Sequence, residues 1–172
     1  MASDTDSPRA APVSTEAATA GPFTTTIDWR GGAVAGLAAT VVMGAFIAGV
    51  NLPTLRSSIA GLYGQAGSLV VGWAAHLVHG TLFGVVFATV MADPGLHRVK
   101  QSVLRTVLAG VSYGVVLAVA GAGIIMPIWL SLAGFANPPT PPFVTVPMLA
   151  WHLVYGVVLG ATFSYTRRLG PA

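Results

Sequence analysis

Four long apolar stretches alternate with short polar segments along the chain, and this pattern predicts its helices. Each stretch is close to the ~20 residues that an α-helix needs to cross ~30 Å of hydrocarbon. We predict membrane spans at residues 31–50, 69–92, 104–132 and 146–166. The pattern therefore indicates an all-α protein, a four-helix transmembrane bundle.

The composition agrees with a membrane protein that has no separate soluble domain. Hydrophobic residues make up 54% of the 172 residues and charged residues 8%, whereas ~25% of residues are charged in an ordinary soluble domain. The mean hydropathy is +0.76. Four spans and their loops fill the length between residues 30 and 168, which leaves no room for a soluble enzymatic domain. The absence of cysteine excludes disulfides, thiolate metal sites and iron–sulfur clusters.

Polar and charged residues outside the spans set the predicted boundaries and orientation. Residues 1–29, rich in Ala, Ser, Thr and Pro, predict a disordered tail, residues 30–168 the transmembrane domain, and residues 169–172 a C-terminal tail. Arg56 is the only cation of the outer loops, and the others lie on the opposite side, at Arg9, Arg30, Arg98, Lys100, Arg105, Arg167 and Arg168. By the positive-inside rule, both termini are cytoplasmic in a multi-pass protein of the cell membrane. The net charge of +3 reflects this topology, so we expect no nucleic-acid partner.

An internal repeat divides the predicted bundle into two helical hairpins, about 30–92 and about 103–168. The segment His-Leu-Val-His-Gly at 76–80 returns as His-Leu-Val-Tyr-Gly at 152–156. A shift of 74 residues also superposes small residues and prolines, namely Gly36 on Gly110, Gly49 on Gly123 and Pro53 on Pro127. Two spans return the chain to its starting side, so the tandem repeats are parallel and related by a pseudo-two-fold axis along the membrane normal.

Small residues recur at every fourth position and form a ridge along each predicted helix. The four ridges contain Gly32, Gly36, Thr40 and Gly44; Gly72, His76, Gly80 and Gly84; Gly110, Gly114, Ala118 and Ala122; and His152, Gly156, Gly160 and Ser164. Such ridges let helix backbones approach closely in lipid, where the hydrophobic drive for association is absent. His76 and His152 lie on the ridges themselves, so each imidazole is predicted to point into a helix interface.

The repeated histidines are the core of the candidate site. At 1.5 Å per residue, both lie about 10 Å below the outer interface. Their neighbours on the same helices complete the candidate cofactor-binding set, which is His76, His79 and Gly80 with His152, Tyr155 and Gly156. The glycines are predicted to leave space beside the imidazoles. A facing pair of histidines flanked by glycine is typical of axial ligation of haem b, because the flat macrocycle needs backbone without side chains alongside it.

Other roles for the histidines fit the same pattern. A neutral imidazole in a helix interface often only forms a hydrogen bond across it, and the predicted partners are Tyr113, Thr81, Ser112 and Tyr155. A metal, quinone or proton-linked site is a further alternative. A metal held by the three histidines alone would lack any carboxylate or thiolate ligand, so we predict no metal site.

The spans contain none of the residues that most transport or catalytic sites require. No Asp, Glu or Lys lies within the interior of a predicted span, which argues against the carboxylate-based coupling of many transporters. The sequence has no phosphate-binding glycine motif and no nucleophile elbow. We therefore expect a protein that is not an enzyme.

The outer loops carry weaker signals. The stretch that contains Asn51, Arg56, Tyr63 and Gln65 is interpreted either as a short helix on the membrane surface or as an interfacial anchor. The proline-dense residues 137–142 predict a stiff extended cap, which either covers a cofactor or only connects two helices. Pro53 and Pro127 are predicted to end or kink the first and third helices.

The hairpin repeat, the His-Leu-Val-x-Gly motif and the acidic, threonine-rich N-terminal segment resemble a family of small four-helix integral membrane proteins. These proteins occur in halophilic archaea and some bacteria, and their domain has no assigned function. The resemblance covers about residues 30–168. It implies the four-helix fold and carries no activity or site residue to this chain.

Three functions follow from these observations as hypotheses. The first is a binding or accessory subunit that holds haem b between the second and fourth helices for electron transfer. The alternative is a non-redox accessory protein that packs against a larger membrane complex or binds lipid, quinone or pigment. The third is a component of a small transporter. The expected partners are membrane lipids and either further copies of the chain or a larger membrane complex.

Overall fold

The computed structural model describes residues 27–167, and this part of the chain is all-helical, without strands. Its long helices are α1 (Trp29–Ile59), α2 (Leu69–Met91), α3 (Val103–Leu132) and α4 (Val146–Thr166). Each is long and apolar enough to cross a membrane. The predicted all-α class with four membrane-length helices is thus confirmed. The predicted tails at 1–29 and 169–172 lie outside the described residues, except for residues 27–29, and Trp29 already begins α1.

Side-chain caps mark where three of the four helices begin. The first N–H groups of a helix have no partner within it, and an unsatisfied polar group is costly in a membrane. In each case a side-chain oxygen of the residue before the helix accepts a hydrogen bond from one of these N–H groups. Asp28 accepts from the N–H of Gly31 at 2.9 Å, Ser68 from that of Val71 at 3.3 Å, and Thr145 from that of Met148 at 3.4 Å.

The first helix extends well beyond its predicted span. Its α-helical part ends at Pro53 and continues as a π-helix over Thr54–Ile59, with a non-helical backbone at Asn51. Leu55 and Ile59 are buried in the bundle. The first outer loop therefore does not form the separate surface helix predicted from the sequence, because these apolar side chains hold the segment against the other helices. The kink at Asn51 lies two residues before Pro53, the proline that was predicted to end or kink this helix.

The third helix contains a π-helical stretch at Leu117–Ile125 and then continues to its end at Leu132. Pro127 does not terminate it, although proline lacks an N–H and cannot donate to the carbonyl four residues earlier, that of Gly123. The N–H of Phe143, in the loop between α3 and α4, donates to this carbonyl at 2.8 Å. The hydrogen bond fixes the proline-rich loop to the outer part of α3.

Glycine contacts hold the helices in two close pairs. Between α1 and α2, a Cβ added at Gly84 would lie 2.5 Å from the Cα of Gly36. Between α3 and α4, a Cβ added at Gly156 would lie 2.8 Å from the carbonyl carbon of Gly110. Real Cβ atoms do not approach so closely, so a larger side chain at these crossings would force the helices apart. The two pairs meet where α1 packs along α4.

The two halves of the bundle are packed differently. We call the half near the described chain ends the inner half, and the half near the α1–α2 and α3–α4 loops the outer half. In the inner half, the ring of Phe87 on α2 lies 5.4 Å from that of Phe163 on α4 and 5.5 Å from that of Tyr113 on α3. These aromatic contacts join three helices. In the outer half, the helices surround a large cavity instead.

Candidate cofactor-binding cavity

The outer cavity has a volume of about 890 Å³ and lies among all four helices and the proline-rich loop. Its wall is mainly apolar, formed by Met, Ile, Leu, Val, Phe and Trp side chains with few polar groups. The volume falls within the ~300–1,000 Å³ of small-molecule and cofactor sites. Five of the six candidate residues predicted from the sequence line it, namely His76, His79, Gly80, His152 and Tyr155.

His76 is the most enclosed imidazole of the cavity, with 7% of its surface exposed. The ring of Trp73 stands edge-on to it at 6.1 Å, and a Cβ added at Gly44 would lie 2.9 Å from its Cδ2 atom. These neighbours fix the ring against α1. Its Nε2 atom is buried and has no hydrogen-bond partner within residues 27–167. Leaving such a group unpaired costs ~1–3 kcal/mol.

His152 has one ring nitrogen fixed by the backbone. Its Nδ1 lies 2.8 Å from the carbonyl oxygen of Met148 and donates a hydrogen bond to it. With the proton on Nδ1, the lone pair of the neutral imidazole is on Nε2. Histidines that ligate metals commonly show this arrangement, in which the second nitrogen donates to a carbonyl or carboxylate.

His79 belongs to an aromatic cluster at the outer edge of the cavity. Its Nε2 lies 2.6 Å from the hydroxyl of Tyr63, in the α1–α2 loop. The rings of Tyr63, His79 and Trp129 lie within 6 Å of one another, with centroid distances of 5.6 to 5.9 Å. The sequence did not reveal this cluster, because its members come from three separate segments and Tyr63 resembled an ordinary interfacial residue. The Nε2 atom of His79 is therefore hydrogen-bonded to Tyr63. In contrast, Nε2 of His76 has no partner within residues 27–167, and His152 is bonded through Nδ1.

The tyrosines predicted as histidine partners bind the backbone of α2 instead. The hydroxyl of Tyr155 donates to the carbonyl oxygen of Gly80 at 2.8 Å, and the hydroxyl of Tyr113 donates to that of Phe83 at 3.0 Å. Thr81 likewise donates to a carbonyl of its own helix, that of Leu77. The hydroxyls of Tyr155, Tyr113 and Thr81 therefore donate to helix carbonyls and not to the imidazoles, contrary to the expectation for these three residues.

The two candidate glycines serve helix packing. Gly156 does not line the cavity and lies where α4 crosses α3 at Gly110. At Gly80, the position of an added Cβ would overlap the side chain of Thr40. The room predicted beside these glycines is thus filled by neighbouring helices. Open space comes instead from Gly121, which lines the cavity on α3 and where an added Cβ would have no atom within 4 Å.

Polar side chains are concentrated at the outer end of the cavity. Asn51, Thr54, Ser57 and Ser58 line it from the end of α1, together with Thr145 before α4. Pro139 and Phe143 complete this end, so the proline-rich loop forms part of the wall. The cavity is therefore amphipathic, with a polar outer end above an apolar interior.

The donor set fits haem iron better than a bare metal ion. Within the described residues, no three His, Cys, Asp or Glu side chains are grouped so as to hold a metal. Haem needs only two axial ligands from the protein, because the macrocycle supplies the other four. His76 has a buried unpaired Nε2, and His152 has its Nδ1 hydrogen-bonded and its Nε2 lone pair available. Both residues line the same cavity, and two imidazole nitrogens are the number of protein ligands that haem iron takes.

No protein-family model matches the sequence, and no curated protein and no solved structure is significantly similar to the chain. The resemblance to small four-helix membrane proteins therefore stays a prediction.

Proposed function

We propose that this chain is a multi-pass membrane protein that binds haem b in the outer cavity, where His76 and His152 would hold its iron, and that it serves electron transfer as an accessory subunit. The unpaired, buried Nε2 of His76 is the observation that carries the proposal. An apolar cavity of cofactor size lies beside it and is also lined by His152. Haem b in this position would supply reversible transfer of one electron.

The residues around the cavity have separate roles in this proposal. The Met148 carbonyl holds the proton of His152 on Nδ1 and keeps the Nε2 lone pair available for the iron. Trp73 and the α1 backbone at Gly44 fix the orientation of His76. The apolar wall excludes water, which favours the neutral imidazole. The uncharged polar groups at the outer end give the haem carboxylates hydrogen-bond donors near the membrane surface.

A second candidate is a binding protein for an apolar pigment, quinone or lipid without iron. The Tyr63–His79 hydrogen bond at the edge of the cavity favours it, since such a pair can exchange its mutual hydrogen bond for one to a ligand carbonyl. In this alternative His76 would donate to the ligand from Nε2. The visible spectrum and the metal content of the purified protein separate the two candidates.

The internal duplication and the orientation belong to the proposal as well. The α1–α2 crossing at Gly36 and Gly84 and the α3–α4 crossing at Gly110 and Gly160 occupy positions that the repeat treats as equivalent. This correspondence supports two parallel hairpins derived from one. The concentration of cations at the inner ends of the helices supports cytoplasmic termini in the cell membrane.

The proposal is tested by titrating haem into haem-free protein in detergent or lipid vesicles. We expect one haem per chain with the spectrum of a low-spin, six-coordinate iron. His76→Ala and His152→Ala should each abolish that spectrum, because one axial ligand is lost. His97→Ala is the matched control, since His97 is exposed, begins the short helix His97–Lys100 between α2 and α3, and does not line the cavity.

The outcome for His79 sharpens the test. Its Nε2 is hydrogen-bonded to Tyr63, so His79→Ala should leave the low-spin spectrum in place. Loss of the spectrum in His79→Ala with retention in His76→Ala would contradict the assignment of ligands. Folded wild-type protein that binds no haem would contradict the haem proposal as a whole.

A further inference from the structure

The outer parts of α2 and α3 are neighbours without close packing. α2 packs on α1, including the π-helical end of α1. Among the described helices, α2 makes only isolated backbone contacts with α3. Two side-chain bridges join them. The Tyr113 hydroxyl binds the Phe83 carbonyl at 3.0 Å, and the ring of Trp129 lies 5.9 Å from that of His79.

Between these two bridges, residues that line the cavity are also exposed at the surface of the bundle. Among its lining residues, Val116 and Ile125 on α3 are each 57% exposed, and Phe83 on α2 is 38% exposed. Residues buried inside the bundle line the same cavity, including Ile47 and Leu130, which are each 1% exposed. The same cavity is thus lined both by apolar residues exposed at the surface and by apolar residues at the centre of the bundle.

Small residues of the π-helical stretch keep this part of the cavity open. Ala120, Gly121 and Ala122 line the cavity on α3, where larger side chains would narrow it. At Gly121 an added Cβ would meet no atom within 4 Å. This glycine is not needed for helix packing, in contrast to Gly36 or Gly110, so the space beside it is available to a ligand.

We propose that this gap between His79–Phe83 of α2 and Val116–Trp129 of α3 is a lateral portal, through which one acyl chain of a membrane lipid enters the cavity when no cofactor is bound. An apolar space of about 890 Å³ is unfavourable if left empty, because its wall loses dispersion contacts. Water is a poor occupant of the apolar interior, where few polar groups could bind it. The occupant next to the gap is lipid hydrocarbon.

The chemistry of the wall agrees with an acyl chain. No Asp, Glu, Lys or Arg lines the cavity within residues 27–167. The polar pair Tyr63 and His79 lies at the outer edge of the portal, where a lipid ester or headgroup would remain while its chain extends inward. The inference rests on the cavity of the proposed function and holds whatever cofactor that cavity takes.

The portal is tested with haem-free protein in phosphatidylcholine vesicles that contain a phosphatidylcholine with a diazirine in one acyl chain. After irradiation, mass spectrometry locates the crosslinks. Lipid-facing residues such as Val50 and Leu132 should be labelled, and so should the cavity-lining Ile47, Leu130 and Met148, which are at most 6% exposed. Labels on the second group require a chain inside the cavity.

Gly121→Leu should lower labelling of the cavity-lining residues about tenfold, the change that ~1.4 kcal/mol of lost binding produces. Gly49→Leu is the matched control, because an added Cβ at Gly49 also meets no atom within 4 Å but the residue faces lipid and does not line the cavity. It should leave both groups of labels unchanged. Ala120→Leu gives a second obstruction of the portal if Gly121→Leu does not fold.

Absence of label from Ile47, Leu130 and Met148 in the wild-type protein would overturn the portal. Label there that neither Gly121→Leu nor Ala120→Leu reduces would also overturn it, because the chain would then enter by another route. The haem titration is independent of these results. Labelled protein that binds no haem contradicts only the proposed cofactor, and haem binding without internal label contradicts only the portal.

Discussion

Tyr155 links the two pairs of helices through one hydroxyl group. Tyr155 lies on α4 and is 2% exposed. Its hydroxyl donates to the carbonyl oxygen of Gly80 on α2 at 2.8 Å, and the two residues are 75 positions apart in the sequence. Tyr113 makes the second bond of this kind, to Phe83. Interhelical hydrogen bonds in membranes contribute ~0.6 kcal/mol on average and up to ~1.7 kcal/mol. The two tyrosines therefore stabilise the contact between the pairs and have no evident part in ligating a cofactor.

Tyr155→Phe should lower the free energy of unfolding by ~0.6 to ~1.7 kcal/mol and leave haem binding unchanged. The lost hydroxyl binds a helix carbonyl, and the ring that fills the wall of the cavity is kept. Unfolding in a denaturing detergent, followed by circular dichroism, measures the stability. Tyr165→Phe is the control, because that side chain is 66% exposed and should tolerate the change. A large drop in haem affinity for Tyr155→Phe would instead place the hydroxyl in the binding site.

At the scale of the element, α3 depends on a contact from outside the helix. Pro127 cannot donate to the Gly123 carbonyl, and the Phe143 N–H takes that place at 2.8 Å. The same loop contributes Pro139 and Phe143 to the wall of the cavity. A proline within α3 thereby positions the cover of the cavity, since it leaves a carbonyl free for the loop to bind.

Pro127→Ala should release the loop from α3. The new N–H can donate to the Gly123 carbonyl within the helix and so competes with that of Phe143. Hydrogen exchange read by mass spectrometry should show faster exchange of the Phe143 amide. Pro53→Ala should leave it unchanged, because Pro53 lies on α1 at the far side of the cavity mouth. Unaltered protection of Phe143 in Pro127→Ala would show that the loop is held by other contacts.

The helices were largely predictable from the sequence, whereas the extension of α1 and the π-helical stretches of α1 and α3 were not. Apolar runs of membrane length predict α2 and α4 to within about one residue at each end. The π-helical ends and stretches of α1 and α3 have no comparable signal, because they depend on tertiary contacts such as the burial of Leu55. Glycine at every fourth position predicts that helices cross closely, but it does not predict which two helices form each crossing.

The candidate site was predictable only in part, because the sequence shows repeated motifs but not the tertiary contacts around them. The repeated motif marks His76 and His152, which both line the cavity. The role of Gly80 and Gly156 could not be derived from spacing, since a glycine ridge looks alike whether a helix or a ligand lies against it. Tyr63, Trp129 and Gly121 were missed as site residues because they come from other segments and belong to no repeated pattern.

At the scale of the molecule, the proposed orientation places the cavity in the outer half of the membrane. The chain has no cysteine, so single cysteines report exposure without background. In sealed cells, a membrane-impermeant thiol reagent should label Gln65→Cys in the α1–α2 loop at once. It should label Gln101→Cys in the α2–α3 loop only after permeabilisation. The opposite pattern would mean that the termini are outside and that the cavity faces the cytoplasm.

The bundle is closed by aromatic rings in its inner half and open around three histidines in its outer half. We propose that this outer cavity holds haem b between His76 and His152. The most direct test is the reduced-minus-oxidised visible spectrum of protein purified in mild detergent from cells with adequate haem, with the haem identified as its pyridine complex. We predict a Soret band with sharp reduced α and β bands, lost in His76→Ala and in His152→Ala. A stably folded preparation without these bands would contradict the claim.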